Sequence, residues 1–155
     1  MLNTSLCYIE KDGKYLMLHR IKKENDVNRD KWIGVGGKFE AGESPKECAA
    51  REIFEETGLV TKSLDYRGIV TFVCPPYESE DMHLFTTTEF EGEVKECDEG
   101  TLEWVDKSRL PELNLWEGDY IFLDLLNKNE PFFKLKLTYD GNKLTEAILN
   151  GEKIR

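Results

Sequence analysis

A helix carrying too many acids on one face constrains this chain more than any other feature. Between Gly37 and Leu59 the sequence reads GKFEAGESPKECAAREIFEETGL, six carboxylates in 23 residues. Two signals bound its helical part. Ser44-Pro45-Lys46-Glu47 pairs an N-cap serine and a proline at the first helical position with a glutamate that can reach back, a capping box. Gly58 suits the left-handed conformation that closes a helix. Ala49, Ala50 and Ile53 mark the apolar side. Glu52, Glu55 and Glu56 are spaced i, i+3, i+4 and crowd one face. Each such like-charge pair costs roughly 0.2–0.5 kcal/mol on an exposed helix. A purely structural helix gains nothing from that arrangement. A site for a hard divalent cation does, because carboxylate oxygens suit Mg²⁺ or Mn²⁺. The plain alternative is a solvated acidic face.

The stretch before the helix, Trp32-Ile33-Gly34-Val35-Gly36-Gly37-Lys38, reads as a glycine-rich turn. Its backbone can approach a ligand closely or offer a carbonyl to a metal. It lacks the GxxxxGK[ST] spacing of a phosphate-cradling P-loop. Glu43 lies near the helix start, where negative charge is favoured, so loop support and a catalytic role are equally open to it.

Along the chain, Leu6–Ile9 and Tyr15–Leu18 read as strands around a turn at Asp12-Gly13, and residues 22–31 as a polar loop. Tyr66–Cys74 and Met82–Phe90 read as strands separated by Pro75-Pro76-Tyr77 and the acidic residues 78–81. A turn at Glu91-Gly92-Glu93, a short strand at Thr101–Val105 and a loop beginning at Ser108–Pro111 follow. Trp116–Asn127 shows a helical stripe of Ile121, Phe122, Leu125 and Leu126. Phe132–Tyr139 and Lys143–Leu149 close the chain as a hairpin about Asp140-Gly141-Asn142. Strands on both sides of one long helix, with a second helix late, fit a layered α+β domain spanning residues 1–155.

The formal net charge of −10 argues against a nucleic-acid polymer as partner, yet a small anion remains compatible where bound metal and local Lys or Arg invert the sign. There is no 18-residue apolar run and no basic, apolar leader at the N-terminus, which implies no membrane span and a cytoplasmic location. Cys7, Cys48, Cys74 and Cys97 form no CxxC pair, so reduced thiols are expected rather than zinc or disulfides. His19 and His83 have no partner at metal or triad spacing and are read as structural. The sequence does not give an oligomeric state.

The segment resembles the Nudix box, GX5EX7REUXEEXGU with U a bulky aliphatic residue. Gly37, Glu43, Arg51, Glu52, Ile53, Glu55, Glu56, Gly58 and Leu59 meet every fixed position. The resemblance implies an α/β/α sandwich with a mixed central sheet and a Mg²⁺-dependent pyrophosphohydrolase. It implies metal ligation by Glu52, Glu56 and the Gly36 carbonyl, with Glu55 a ligand or an outer partner and Arg51 holding carboxylates in position. Glu99, in a loop after the central strands, is implied as a further ligand or as the general base. Lys23, and less directly Lys38, would meet substrate phosphate.

Beyond the box, residues 32–38 and 68–72, Glu99 through Trp104, Leu115–Asp119 and the final hairpin resemble the MutT-type oxidised-purine triphosphatases, the Gram-positive MutX branch above all. That implies hydrolysis of 8-oxo-dGTP to 8-oxo-dGMP and pyrophosphate, which sanitises the nucleotide pool and protects DNA. Phe72 and Trp116 would stack the base and Asp119 would bond its Watson–Crick edge; core packing and helix-start stabilisation are their ordinary alternatives. Ile33 and Gly118 depart from the human-type enzyme, which has an asparagine and an aspartate there. A broader nucleoside triphosphate or ADP-ribose-type pyrophosphohydrolase is the second reading. A nucleotide-sensing Nudix domain is the non-enzymatic one.

Overall fold

The computed structural model describes residues 1–22, 26 and 28–155. The elements in chain order are β1 (Leu2–Lys11), β2 (Lys14–His19), β3 (Trp32–Ile33), β4 (Val35–Lys38), α1 (Pro45–Thr57), β5 (Val60–Thr61), β6 (Asp65–Val73), β7 (Glu80–Thr87), β8 (Phe90–Glu91) and β9 (Thr101–Asp106). A 3₁₀ helix (Lys107–Glu112), α2 (Asp119–Asn127), β10 (Phe133–Asp140), β11 (Lys143–Leu149) and β12 (Glu152–Lys153) complete it. The main sheet runs β12-β11-β10-β6-β7-β1, and β4 joins β1 at its far edge. It is mixed: β1 lies parallel to β7 and β10 parallel to β6, while the other pairs are antiparallel. At the tip of its hairpin with β1, β2 diverges to pair with β3 and β9 as a three-stranded arm.

Alternation along the strands explains the layers. Odd residues of β1 and β7, with Val35, pack against Ala49 and Ile53 of α1: Cys7, Ile9 and Phe85 belong to that core. Even residues pack on the other face against Phe122, Leu123 and Leu126 of α2: Leu6, Tyr8, Val70, Phe72 and Leu84. The result is the expected α/β/α sandwich with a mixed sheet. All four cysteines are free and buried. No helix among the described residues is long and apolar enough to cross a membrane.

Several boundaries differ from the sequence reading for identifiable reasons. The glycine-rich segment is not a turn but the short strands β3 and β4. Gly36 faces β1 so closely that a Cβ there would lie 1.8 Å from the Ser5 carbonyl oxygen, so glycine is what permits the pairing. β7 starts at Glu80, inside the acidic stretch expected to break it, because Glu80 and Asp81 accept hydrogen bonds from Thr4 (2.8 Å) and Thr71 (2.6 Å). The strand expected over Met82–Phe90 ends at Thr87, with Phe90 in β8. The loop at Ser108 is a 3₁₀ helix capped by Asp106, which accepts from the Ser108 amide at 2.9 Å. α2 begins at Asp119 rather than Trp116, since the Gly118 amide donates to the Tyr139 hydroxyl at 2.8 Å.

Candidate active site

The capping box forms as read. The Ser44 amide donates to Glu47 at 2.9 Å, the Glu47 amide donates to Ser44 Oγ at 3.1 Å, and Gly58 closes α1 at φ 81°. With the ends fixed, the acidic face of α1 has one orientation, and Arg51 organises it. Its Nε and Nη2 donate to the two oxygens of Glu43 at 2.5 and 2.9 Å. Its Nη1 donates to Glu52 at 2.8 Å and Glu55 at 3.1 Å, and Nη2 also reaches the Lys38 carbonyl at 3.0 Å. Those bonds hold Glu43 down at about 2, well inside its ionised range.

Glu52 and Glu56 look toward the sheet edge instead. The Glu52 carboxyl lies over Gly37 so tightly that a Cβ there would sit 2.4 Å from its carboxyl carbon. Glu56 is nearly buried, and its Oε2 has no hydrogen-bond partner. Burial and the neighbouring charges of Glu99 and Glu52 push its pKa well above the carboxylate range. Burial also raises Glu52. Glu99 comes from the segment before β9 and is paired with Arg20 at 3.3 Å, which also binds Asp26 at 2.7 Å.

These groups rim a cavity of about 730 Å³ on the even face of the sheet. Its floor is three cross-strand rows whose partners share a side. Phe72, Glu80 and Leu2 come from the first, Met82, Thr4 and Lys38 from the second, and Leu6 and Gly36 from the third, while Val70 and Leu84 of the same rows are buried in the core. Trp116 closes the end at Phe72. The rings meet edge-on at 5.1 Å, the Trp116 indole donates to Asn28 at 2.8 Å, and Lys31 lies 5.0 Å above it. Asp119, one turn on, lines the same end; burial pushes its carboxyl up to about 8.

The structure therefore brings Gly36, Lys38, Glu52, Glu56, Glu99, Phe72, Trp116, Asp119 and Ile33 to one cavity. It does not bring Glu55, whose side chain is 56% exposed and held by Arg51 outside the lining. At i+3 from Glu52, Glu55 turns to solvent and pairs with Arg51, while Glu56 turns inward. Lys23 lies outside the described residues. The sequence reading missed Arg20, Asp26, Asn28 and Glu80. Only Glu80 left a signal, its period-two spacing with Met82 and the buried Leu84.

The α/β/α layers and the carboxylate-rimmed, aromatic-ended cavity form a small-molecule site whose acids suit a divalent cation. Residues 2–126 match the NUDIX domain, and the chain belongs to the Nudix hydrolases, a family that generally uses divalent metals. It is 32% identical over 111 residues, 71% of each chain, to the oxidized purine nucleoside triphosphate hydrolase of Danio rerio. It is 31% identical over 138 residues, 86% of this chain and 84% of the other, to the uncharacterized Nudix hydrolase YvcI of Bacillus subtilis. Among solved structures, the MutT protein of Bacillus halodurans superposes with a TM-score of 0.85 at 28% identity, covering 98% of this chain and 99% of that one.

Proposed function

We propose that this chain hydrolyses oxidised purine nucleoside triphosphates, 8-oxo-dGTP foremost, to the monophosphate and pyrophosphate with Mg²⁺ as cofactor. One observation carries the reading: the edge-on Phe72–Trp116 pair, with Asp119 beside it, walls one end of the same cavity that Glu52, Glu56 and Glu99 rim. A base and its phosphates fit one such cavity. The similarity to the Danio rerio oxidized purine nucleoside triphosphate hydrolase supports the same substrate class.

The residues present fit a hard cation. Glu56 Oε2 is an orphaned buried acceptor, and Gly37 leaves room only for the Glu52 carboxyl above it. Among the described residues no three acid, histidine or cysteine side chains are grouped so as to hold a metal by themselves. Mg²⁺ is bound through one or two carboxylates and completes its shell with waters and substrate phosphates. Glu52, Glu56 and the Gly36 carbonyl are the proposed ligands, with Glu99 a further ligand or the general base. When bound, the ion supplies charge neutralisation on the phosphates and an activated water.

The chain's own groups do the rest. Arg51 fixes Glu52 by a charge-assisted bond and ties the Glu43 loop to the helix. Glu55 serves this function only through Arg51. Lys38, on the floor between the two ends, meets phosphate, and Lys23 is assigned the same role. Phe72 and Trp116 hold the base. Asp119, protonated near neutral pH, donates one hydrogen bond and accepts another, which a guanine-type edge returns.

The test is a kcat/KM panel of 8-oxo-dGTP, dGTP, the other dNTPs and ADP-ribose with Mg²⁺. The expected result is a clear advantage for 8-oxo-dGTP. Equal values for 8-oxo-dGTP and dGTP, or ADP-ribose as the best substrate, refute the reading.

A further inference from the structure

Glu80 is the cavity residue that neither the metal rim nor the stacking slot accounts for. On the β6–β7 ladder it is the direct partner of Phe72, and on β7 it alternates with Met82 and the fully buried Leu84. Its side chain therefore stands on the cavity floor beside the proposed base slot. One oxygen accepts from Thr4 Oγ1 at 2.8 Å, which fixes the carboxyl in place. The other oxygen has no hydrogen bond among the described residues, and Glu80 lines the cavity. Burial raises its pKa, and Thr4 and Lys38 oppose that. Its strand neighbours Phe72, Leu2 and Met82 provide no donor, and Lys38 acts on it as a nearby charge with no hydrogen bond between them.

A half-buried acceptor fixed on one side and unanswered on the other calls for a donor from whatever fills the cavity. Purines differ sharply in what they can offer. In guanine and adenine N7 is a lone-pair acceptor, which a carboxylate oxygen repels. Oxidation at C8 places a hydrogen on N7 and converts that position to a donor.

We propose that Glu80 is a specificity-determining residue whose free oxygen accepts the N7–H of an oxidised purine and disfavours the unoxidised base. The inference rests on the oxidised-purine reading of the cavity. It adds to Asp119 a second base-reading carboxyl in the same cavity. A site built to hydrogen-bond a substrate N–H discriminates strongly against the analogue that lacks it.

Glu80→Gln tests this directly. The amide keeps the shape but can present its NH₂ to the N7 lone pair of dGTP, so it suits both bases. Glu80→Leu removes the acceptor altogether. In each variant the ratio of kcat/KM for 8-oxo-dGTP over dGTP should fall about tenfold or more. The change should appear in KM, and in Glu80→Gln the KM for dGTP should drop. Both variants should melt as single cooperative transitions.

A wild-type preference that survives unchanged in both variants overturns the inference alone. So does an equal loss on both substrates, which marks a structural role. A wild-type ratio of one overturns the oxidised-purine reading and this inference with it.

Discussion

Two adjacent glycines, Gly36 and Gly37, make a paired experiment because the same added methyl meets different obstacles at each. In Gly37→Ala the new Cβ would lie 2.4 Å from the Glu52 carboxyl carbon and 2.6 Å from both its oxygens. Ordinary carbon contacts are about 3.5–4.0 Å, so the carboxyl must retreat by about 1 Å or more. It is the end of a flexible side chain and can do so, at a stability cost of about 1–3 kcal/mol typical of mild overpacking. The functional cost is larger: a misplacement of about 1 Å at a catalytic group lowers turnover about 10²-fold. Gly37→Ala should therefore stay folded, lose about 10²-fold in kcat, and need more Mg²⁺ for half-maximal rate. In Gly36→Ala the Cβ would lie 1.8 Å from the Ser5 carbonyl oxygen and 2.6 Å from its carbon. Backbone cannot retreat without opening the β1–β4 ladder, so this variant should lose more than about 3 kcal/mol and melt early. Pyrophosphate release against Mg²⁺ concentration, alongside thermal melts, reads both. Near-normal kcat and Mg²⁺ dependence in Gly37→Ala would refute the placement of Glu52 as a ligand. Unfolding of Gly37→Ala to the same degree as Gly36→Ala would refute the steric argument.

Glu56→Gln keeps the shape and removes the ligand charge; turnover should fall at least about 10²-fold with the fold intact, and near-normal activity rules Glu56 out as a key ligand. Asp119 titrates near 8 when folded against about 3.9 when unfolded, so its raised pKa contributes stability present below about pH 4 and lost as pH rises toward 8. The unfolding free energy of Asp119→Asn, from denaturant melts, should therefore gain on wild type across that window, by up to about 1.4 kcal/mol per pH unit, and the gap should level off above pH 8; a pH-independent gap contradicts the burial argument. Ser44→Ala removes the cap bond to the Glu47 amide and should cost about 1 kcal/mol, seen as a melting temperature lower by roughly 2–4 °C with activity at 25 °C retained.

What the sequence disclosed was mostly local. α1 announced both ends through Ser44, Glu47 and Gly58, and its acids through their spacing; the two hairpins announced their turns. The glycine-rich segment misled because intrinsic preference opposes strand there, and only pairing with Thr4–Cys7 of β1 overrides it. The second helix was expected to start at Trp116, but the contact of Gly118 with Tyr139 in β10 delays it by about one turn. The spacing i, i+3, i+4 made Glu52, Glu55 and Glu56 equivalent. It is Arg51, together with the sheet edge, that separates the exposed Glu55 from the inward pair. Arg20 was invisible as a site residue, and Glu80 showed no more than its strand spacing, because their partners, Glu99 and Thr4, lie 76 or more positions away along the chain.

The parallel contact of β1 with β7 has a consequence for how such a site can diverge. Thr4 and Leu6 reach the cavity, and Ser5 and Cys7 reach the other layer, only because β1 keeps one register against β7 and β4. Inserting or deleting a single residue in β1 would exchange the two sets and turn the pocket floor into the packing surface for α1. New substrate preferences on this scaffold therefore have to arise by substitution at the even positions of β1 and β7 and at Phe72, one side chain at a time, and not by changes in strand length.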